Sequence, residues 1–333
     1  MPSSDHGDLL DRRLLFVTGK GGVGKTTVAA ALADLGARAG KRTLVCEMDA
    51  KGALAATFDT KPLEFDPREI DPDLFAMAMN TEDSLREYLR LFVKLPLVGR
   101  IGPLARTFDF VADAAPGVKE ILSVGKLAYE VRERHYDLVI VDAEASGHIV
   151  AQIAAPRVIG ELVQVGMVRD QTRWMNDILE DPVITGLVIV TTPEEMPVTE
   201  TLDLVGRLET ETGVAPSTVI ANRVLPALFD RRQADVIDRL SSASRASPRA
   251  SEPSDAAEQL LVEAAGPGVR QVLAAAHVTE ARRRTGNKHL ERLRAGVPAD
   301  VPVLNVPELF TKATGRRVVA LVSKALGDEL DVT

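Results

Sequence analysis

Across 333 residues there is a single cysteine, Cys46, so neither a disulfide framework nor a Cys-x-x-Cys zinc site can form within the chain. Cys46 stands in an apolar run, where a free thiol behaves as a small hydrophobe. No stretch is apolar for long enough to span a bilayer, and the polar, acidic start from Met1 to Asp11 lacks the hydrophobic segment of a secretion signal. The expectation is a cytoplasmic protein without stable membrane insertion. A concentrated basic face is missing too: the net charge is −8, the two signs are interspersed, and the run Arg282-Arg283-Arg284 fits the solvated side of a helix. A nucleic-acid partner is therefore not expected. There is no internal repeat.

What is present begins with Gly19-Lys20-Gly21-Gly22-Val23-Gly24-Lys25-Thr26-Thr27. The spacing G-x-x-x-x-G-K-[ST] is that of a phosphate-binding loop. Its glycines let the backbone take positive φ and turn successive N–H groups inward, which makes a concave anion site. Lys25 is placed to neutralise the β- and γ-phosphates of ATP, and the Thr26 hydroxyl to join a Mg²⁺ shell. The flanks agree. Leu14 to Thr18 is an apolar strand pattern, and Val28 to Ala33 continues as a helix whose N-terminus faces the phosphates.

Further apolar runs read as strands at Thr43 to Met48, Leu74 to Met79, Leu138 to Val141, Leu187 to Thr191, Thr218 to Ala221 and Val301 to Val306. Most are uninterrupted by polar residues, as in a parallel sheet covered by helices on both faces. The fold class is thus α/β, a doubly wound, mostly parallel sheet, with ligands beyond the C-terminal strand ends. With 45% hydrophobic residues, the chain can bury a sizeable core. Residues 1–12 read as a flexible N-terminus and 13–333 as one domain. That domain holds a helical insertion at about 81–133 and a variable helical region at about 225–297, with a mobile linker from Ser241 to Ser254.

Two aspartates close strands near the loop. Asp49 can orient an attacking water and hold the water shell of a metal, or cap the next helix. Asp142, after Leu138-Val139-Ile140-Val141, has the place of a Mg²⁺ ligand acting through water. Asn222, after Thr218 to Ala221, is either a turn residue or an amide that donates to one edge atom of adenine and accepts from another.

Lys20, directly after the first glycine, is either a solvated lysine or a functional cation. Here the loop resembles the deviant Walker A sequence of the superfamily that holds MinD, ParA, the nitrogenase iron protein and ArsA. That resemblance implies that Lys20 reaches across a dimer interface to the partner's nucleotide. Asp142-Ala143-Glu144-Ala145-Ser146-Gly147-His148 is similar to the second switch of the ArsA-like branch, Asp-Thr-Ala-Pro-Thr-Gly-His, with proline replaced and Glu144 added. Gly147 then gives the backbone freedom when the γ-phosphate is sensed, and His148 is a hydrogen-bonded switch residue or a surface histidine. The first switch of the branch begins Asp-Pro-Ala-His. Asp49-Ala50-Lys51-Gly52 keeps only the aspartate.

Thr191 to Thr201 is similar to the strand-to-helix stretch after the second switch, and Asn222 matches the adenine-reading asparagine. Pro307-Glu308 resembles the adenine-side loop more weakly. By these residues the chain resembles single-loop members of the ArsA-like, anion-transporting ATPase family, which also includes the ATPase that targets tail-anchored membrane proteins.

The resemblance implies a Mg²⁺-ATP hydrolase that opens and closes as a homodimer, or as a heterodimer with a paralogous subunit. The apolar stretch from Leu85 to Val111, followed by Pro116-Gly117, is either a buried helical layer or a groove for a hydrophobic protein client. A nucleotide-gated scaffold that does not hydrolyse is the alternative to an enzyme. ParA-like DNA positioning is opposed by the acidic balance. MinD-like membrane docking by the last helix, Gly315 to Leu326, is opposed by Asp328, Glu329 and Asp331. Soft-metal and cluster chemistry fail for want of thiolates.

Overall fold

The computed structural model describes residues 9–48, 51–88, 118–162, 166–246, 253–266 and 268–332. The strands are β1 (Leu14–Gly19), β2 (Thr43–Glu47), β3 (Arg68–Asp71), β4 (Leu74–Ala78), β5 (Leu138–Ala145), β6 (Thr185–Thr191), β7 (Thr218–Val224) and β8 (Val303–Pro307). They form one sheet in the order β3-β4-β2-β5-β1-β6-β7-β8. Every pairing is parallel except β3 with β4.

The helices are α1 (Lys25–Arg38), α2 (Ala53–Thr57), α3 (Thr81–Tyr88), α4 (Val118–Arg132), α5 (Ser146–Leu162), α6 (Met167–Leu179), α7 (Glu195–Glu211), α8 (Arg231–Ala246), α9 (Pro253–Ala265), α10 (Val269–Gly296) and α11 (Arg316–Leu330). Side-chain alternation divides the core in two. Leu14, Phe16, Leu44, Cys46, Val139 and Val141 face one side, with buried residues of α4 to α7 and α10. Leu15, Val17, Val45, Ile140 and Val188 face the other, under the alanine-rich α1 and α11. Apolar residues on both faces of the central strands are what a doubly wound sheet demands.

β3 is the element the hydrophobic pattern misses. Arg68-Glu69-Ile70-Asp71 is mostly charged and exposed, and it pairs antiparallel with β4 at the sheet edge. Its turn is Pro72-Asp73, with Asp73 at φ 58°. Arg316 holds this edge, donating to Phe58 O at 2.8 Å, Ile70 O at 2.6 Å and Asp71 Oδ2 at 2.7 Å. A charged edge strand also discourages pairing with another sheet.

One expectation needs correction. Leu9 and Leu10 are each 3% exposed, so the N-terminal segment is packed from Leu9 onward rather than flexible to residue 12. The apolar periodicity of the last helix is buried: Val319, Val322, Leu326 and Leu330 lie in the core under α1, which leaves that face unavailable to a membrane. Arg282 and Arg284 are exposed on α10, in line with the solvated helix side read from the sequence, while Arg283 is half-buried; Arg283 and Arg284 are ion-paired to Glu280, and Arg284 also to Asp238. Among the described residues no helix is long and apolar enough to cross a membrane. Within the 81–133 insertion the structure gives α3 and α4. Residues 89–117, including most of the apolar stretch and Pro116-Gly117, lie outside the described residues.

Candidate nucleotide site

The loop from Gly19 to Thr27 joins the end of β1 to the start of α1, at the C-terminal edge of the sheet. Two glycines are sterically required. A Cβ on Gly19, at φ 141°, would lie 2.1 Å from the Val190 carbonyl oxygen of β6. One on Gly24, at φ 96°, would lie 2.4 Å from Asn222 Nδ2. Gly24 is also the N-cap of α1, with no side-chain hydrogen bond to the helix and no acidic residue in its first turn. The first N–H groups and the positive end of the helix are thereby kept for an anion. Gly21 and Gly22 border open space, and Val23 is buried beneath the loop.

Lys25 folds back on the loop, its Nζ 3.3 Å from Lys20 O. Burial holds its pKa below the ordinary lysine value. Asp142 partly offsets this, and Lys51 adds to it. Asp142 is buried at the point where β5 passes the start of α1, and the Thr26 side chain is hydrogen-bonded to it. Burial pushes the Asp142 carboxyl up to about 6, against the lowering influence of Thr26 and Lys25 and with a further upward contribution from Glu47.

The donor set fits a hard cation. Thr26 supplies a hydroxyl, Asp142 Oδ1 is buried without a partner, and the neighbouring Glu47 Oε2 is equally unpartnered. Both orphaned atoms are oxygens, the ligand type that Mg²⁺ prefers. Among the described residues no group of three or more His, Cys, Asp or Glu side chains could wrap an ion by itself. A cation here would therefore take most of its ligands from nucleotide and water. Asp49 lies outside the described residues.

Asn222 braces the loop. Its Nδ2 donates to Val23 O at 2.8 Å and its Oδ1 accepts the Arg223 N–H at 2.9 Å. A second N–H and a second lone pair remain for a ligand. Beyond Asn222 opens a cleft of about 720 Å³, lined by Pro193, Glu194, Arg223, Val224, Arg282 and Glu308 among others. Pro307 ends β8 opposite Val224, and it is the next residue, Glu308, that reaches the cleft.

β5 runs on to Ala145, so the first part of the expected second switch is strand rather than turn. Gly147 and His148 lie exposed in the first turn of α5, where a Cβ on Gly147 would meet nothing. His148 Nδ1 is 3.5 Å from Glu144 Oε2. Their strand neighbour Ala145 is the register partner of Gly19, which places the start of α5 next to the first glycine of the loop.

Two acidic residues join the site beyond those to which the motif reading gives a role there. Glu200, on α7, forms an ion pair with Lys20. Glu47 is the register partner of Asp142. The signal for Glu47 was a lone carboxylate ending the otherwise apolar Thr43-Leu44-Val45-Cys46-Glu47. Glu200 falls within the Thr191 to Thr201 stretch that resembles the family, but its pairing with Lys20, 180 residues away in the chain, has no signal in the sequence.

A mostly parallel sheet in this order, with a glycine loop leading into α1 and an acidic strand end beside it, defines a P-loop nucleoside-triphosphatase fold. Comparison with known proteins narrows the class. The model of the anion-transporting ATPase family matches residues 12–172 and 162–240, and the chain belongs to that family. It is 32% identical over 226 residues to the ATPase BagA of Mycobacterium tuberculosis, across 65% of this chain and 66% of that protein. It is 25% identical over 262 residues to a putative arsenical pump-driving ATPase of Halobacterium salinarum, across 70% of this chain and 40% of that protein. The ATPase GET3 of Podospora anserina is 30% identical over 156 residues, across 45% of this chain and 46% of that protein. The matched stretch thus spans a little under two thirds of the mycobacterial relative and less than half of the other two.

Proposed function

We propose that the chain is a Mg²⁺-dependent ATPase that works as a dimer, with hydrolysis driving the dimer open and closed around a hydrophobic protein client in the cytoplasm. The observation that carries the reading is the convergence of Lys25, Thr26 and Asp142 at a helix N-terminus whose own N–H groups are left uncapped.

In this reading the loop N–H groups and the dipole of α1 bind the phosphates of ATP. Lys25 leaves the Lys20 carbonyl for the β- and γ-phosphates, and Asn222 orients the base with its free N–H and lone pair. Thr26 and Asp142 hold Mg²⁺, which supplies neutralisation of the phosphate charge. Asp49 orients the attacking water. Lys20 turns from Glu200 to the nucleotide of a neighbouring subunit, which is a second copy or a paralogous chain. Gly147 and His148 are the hinge and reporter of the second switch. Pro307 borders the base. The apolar run from Leu85 to Val111 supports the hydrophobic client.

The altered stretch Asp49-Ala50-Lys51-Gly52 supports a second reading, a nucleotide-gated scaffold that binds ATP and leaves it intact. Single-turnover phosphate release separates the two. The ATPase reading expects release from wild-type protein with Mg²⁺-ATP and none from Lys25→Ala. ATP bound by wild type without release selects the scaffold, and no ATP binding at all defeats both.

A further inference from the structure

Glu47 closes β2 directly beside Asp142, its partner in the parallel register. Side-chain alternation puts both carboxyls on the sheet face that carries α1. Glu47 is 3% exposed and Asp142 is 7% exposed. One Glu47 oxygen, Oε1, accepts the N–H of Ala53 at 2.9 Å, where α2 begins. The other, Oε2, is buried with no partner, as is Asp142 Oδ1.

A capping role alone does not account for this arrangement. Only one oxygen is needed to hold the Ala53 N–H, and an exposed cap would leave the second to water. A buried, unpartnered acceptor loses its hydration without replacement, and the cost rises when it is charged. Two adjacent carboxylates add mutual repulsion. The arrangement becomes favourable when the space between them and Thr26 receives a dication with its waters, whose O–H groups donate to the orphaned oxygens.

We propose that Glu47 is a second acidic anchor for the water shell of the divalent cation that accompanies the nucleotide, acting beside Asp142 as a positioning residue. The proposal rests on the Mg²⁺-nucleotide reading above. It has a structural consequence, because the same carboxylate grips the first residue of α2. Arrival of the cation is thereby tied to the start of α2.

The test uses Mn²⁺ as probe, with free Mn²⁺ followed by electron paramagnetic resonance in protein loaded with a non-hydrolysable ATP analogue. Glu47→Gln keeps the side-chain length and the oxygen that accepts from Ala53. It is expected to bind Mn²⁺ about 10- to 100-fold more weakly, the usual loss for residues that orient a metal's ligands. Binding of the analogue in EDTA should not change. Unaltered Mn²⁺ affinity overturns the proposal, and so does an equal loss of analogue binding in EDTA, which marks a merely structural role. In wild-type protein carrying ¹³C at the glutamate carboxyls, bound Mn²⁺ should broaden the Glu47 resonance while Mg²⁺ does not. A resonance that stays sharp also overturns it. Wild-type protein that binds no metal nucleotide defeats the underlying reading as well, whereas normal wild-type binding with an unaffected variant defeats this inference alone.

Discussion

Lys20 donates to Glu200 within one chain, and the two side chains are 31% and 35% exposed. An ion pair at that exposure is worth about 0.2–1 kcal/mol. It parks the lysine without locking it. If Lys20 must leave to reach a neighbouring nucleotide, Glu200→Gln removes a small competitor. ATP-dependent association should then tighten by about 1.5- to 5-fold, the equivalent of that energy, with sedimentation velocity as the readout. Weaker association in the variant would show that Glu200 belongs to the interface itself.

Asp142 sets a pH dependence. Its carboxyl stands at about 6 in the folded protein against 3.8 for the ordinary group, because it is buried. The folded state therefore holds an extra proton between those values. The group's contribution is favourable below about pH 4 and is lost as the pH climbs through 6, a decline of up to about 3 kcal/mol. Asp142→Asn should flatten this decline, leaving the metal-free protein more stable than wild type at pH 7.5 while binding Mg²⁺-nucleotide poorly. Urea denaturation in EDTA across pH 4 to 8 measures the difference. A variant that loses stability at pH 7.5 contradicts the assignment.

Gly24 and Asn222 are locked together, since any side chain on Gly24 runs into the Asn222 amide. Gly24→Ala should abolish nucleotide binding in a protein that remains folded, as judged by calorimetry alongside circular dichroism. Asn222→Ala removes the obstacle and the bond to Val23 O together. The double variant should still bind poorly, because the positive φ at residue 24 strains any L side chain. Full recovery would mean that the clash alone matters.

The central strands and the phosphate loop were legible because they depend on local signals: apolar runs buried on both faces, and a glycine pattern with one stereochemical solution. β3 was not, because an edge strand of Arg68, Glu69 and Asp71 buries little beyond part of Ile70 and is held from a distance by Arg316. The same division runs through the site. Lys25, Thr26 and Asp142 follow from motif position, whereas Glu47 and Glu200 act through pairings that appear only when β2 meets β5 and α7 meets the loop. Asn222 was found by position, yet its grip on Val23 O required the fold.

Lys126 joins α4 to α3, and its side chain is 7% exposed. It bonds Glu87 Oε1 at 2.8 Å and Glu130 Oε1 at 2.6 Å and lies 5.3 Å from the centre of the Phe65 ring. Burial lowers its pKa, but the two carboxylates outweigh this and the net direction is upward. Lys126→Met leaves Glu130 buried against His135 alone. The expected loss is about 3–5 kcal/mol of unfolding free energy, measured by urea titration. A loss too small to measure would mean that the strut carries no net stability.

The central claim is that Lys20 completes a nucleotide site in the neighbouring subunit while Lys25 serves its own. Mixing Lys20→Ala with Lys25→Ala tests it most directly, by phosphate release from Mg²⁺-ATP. Each variant alone should be inactive. A mixed dimer should recover turnover, because the chain that keeps Lys25 receives Lys20 from its partner. A mixture as inactive as its components, in samples shown to form mixed dimers, would place both lysines in the same subunit's site and contradict the account.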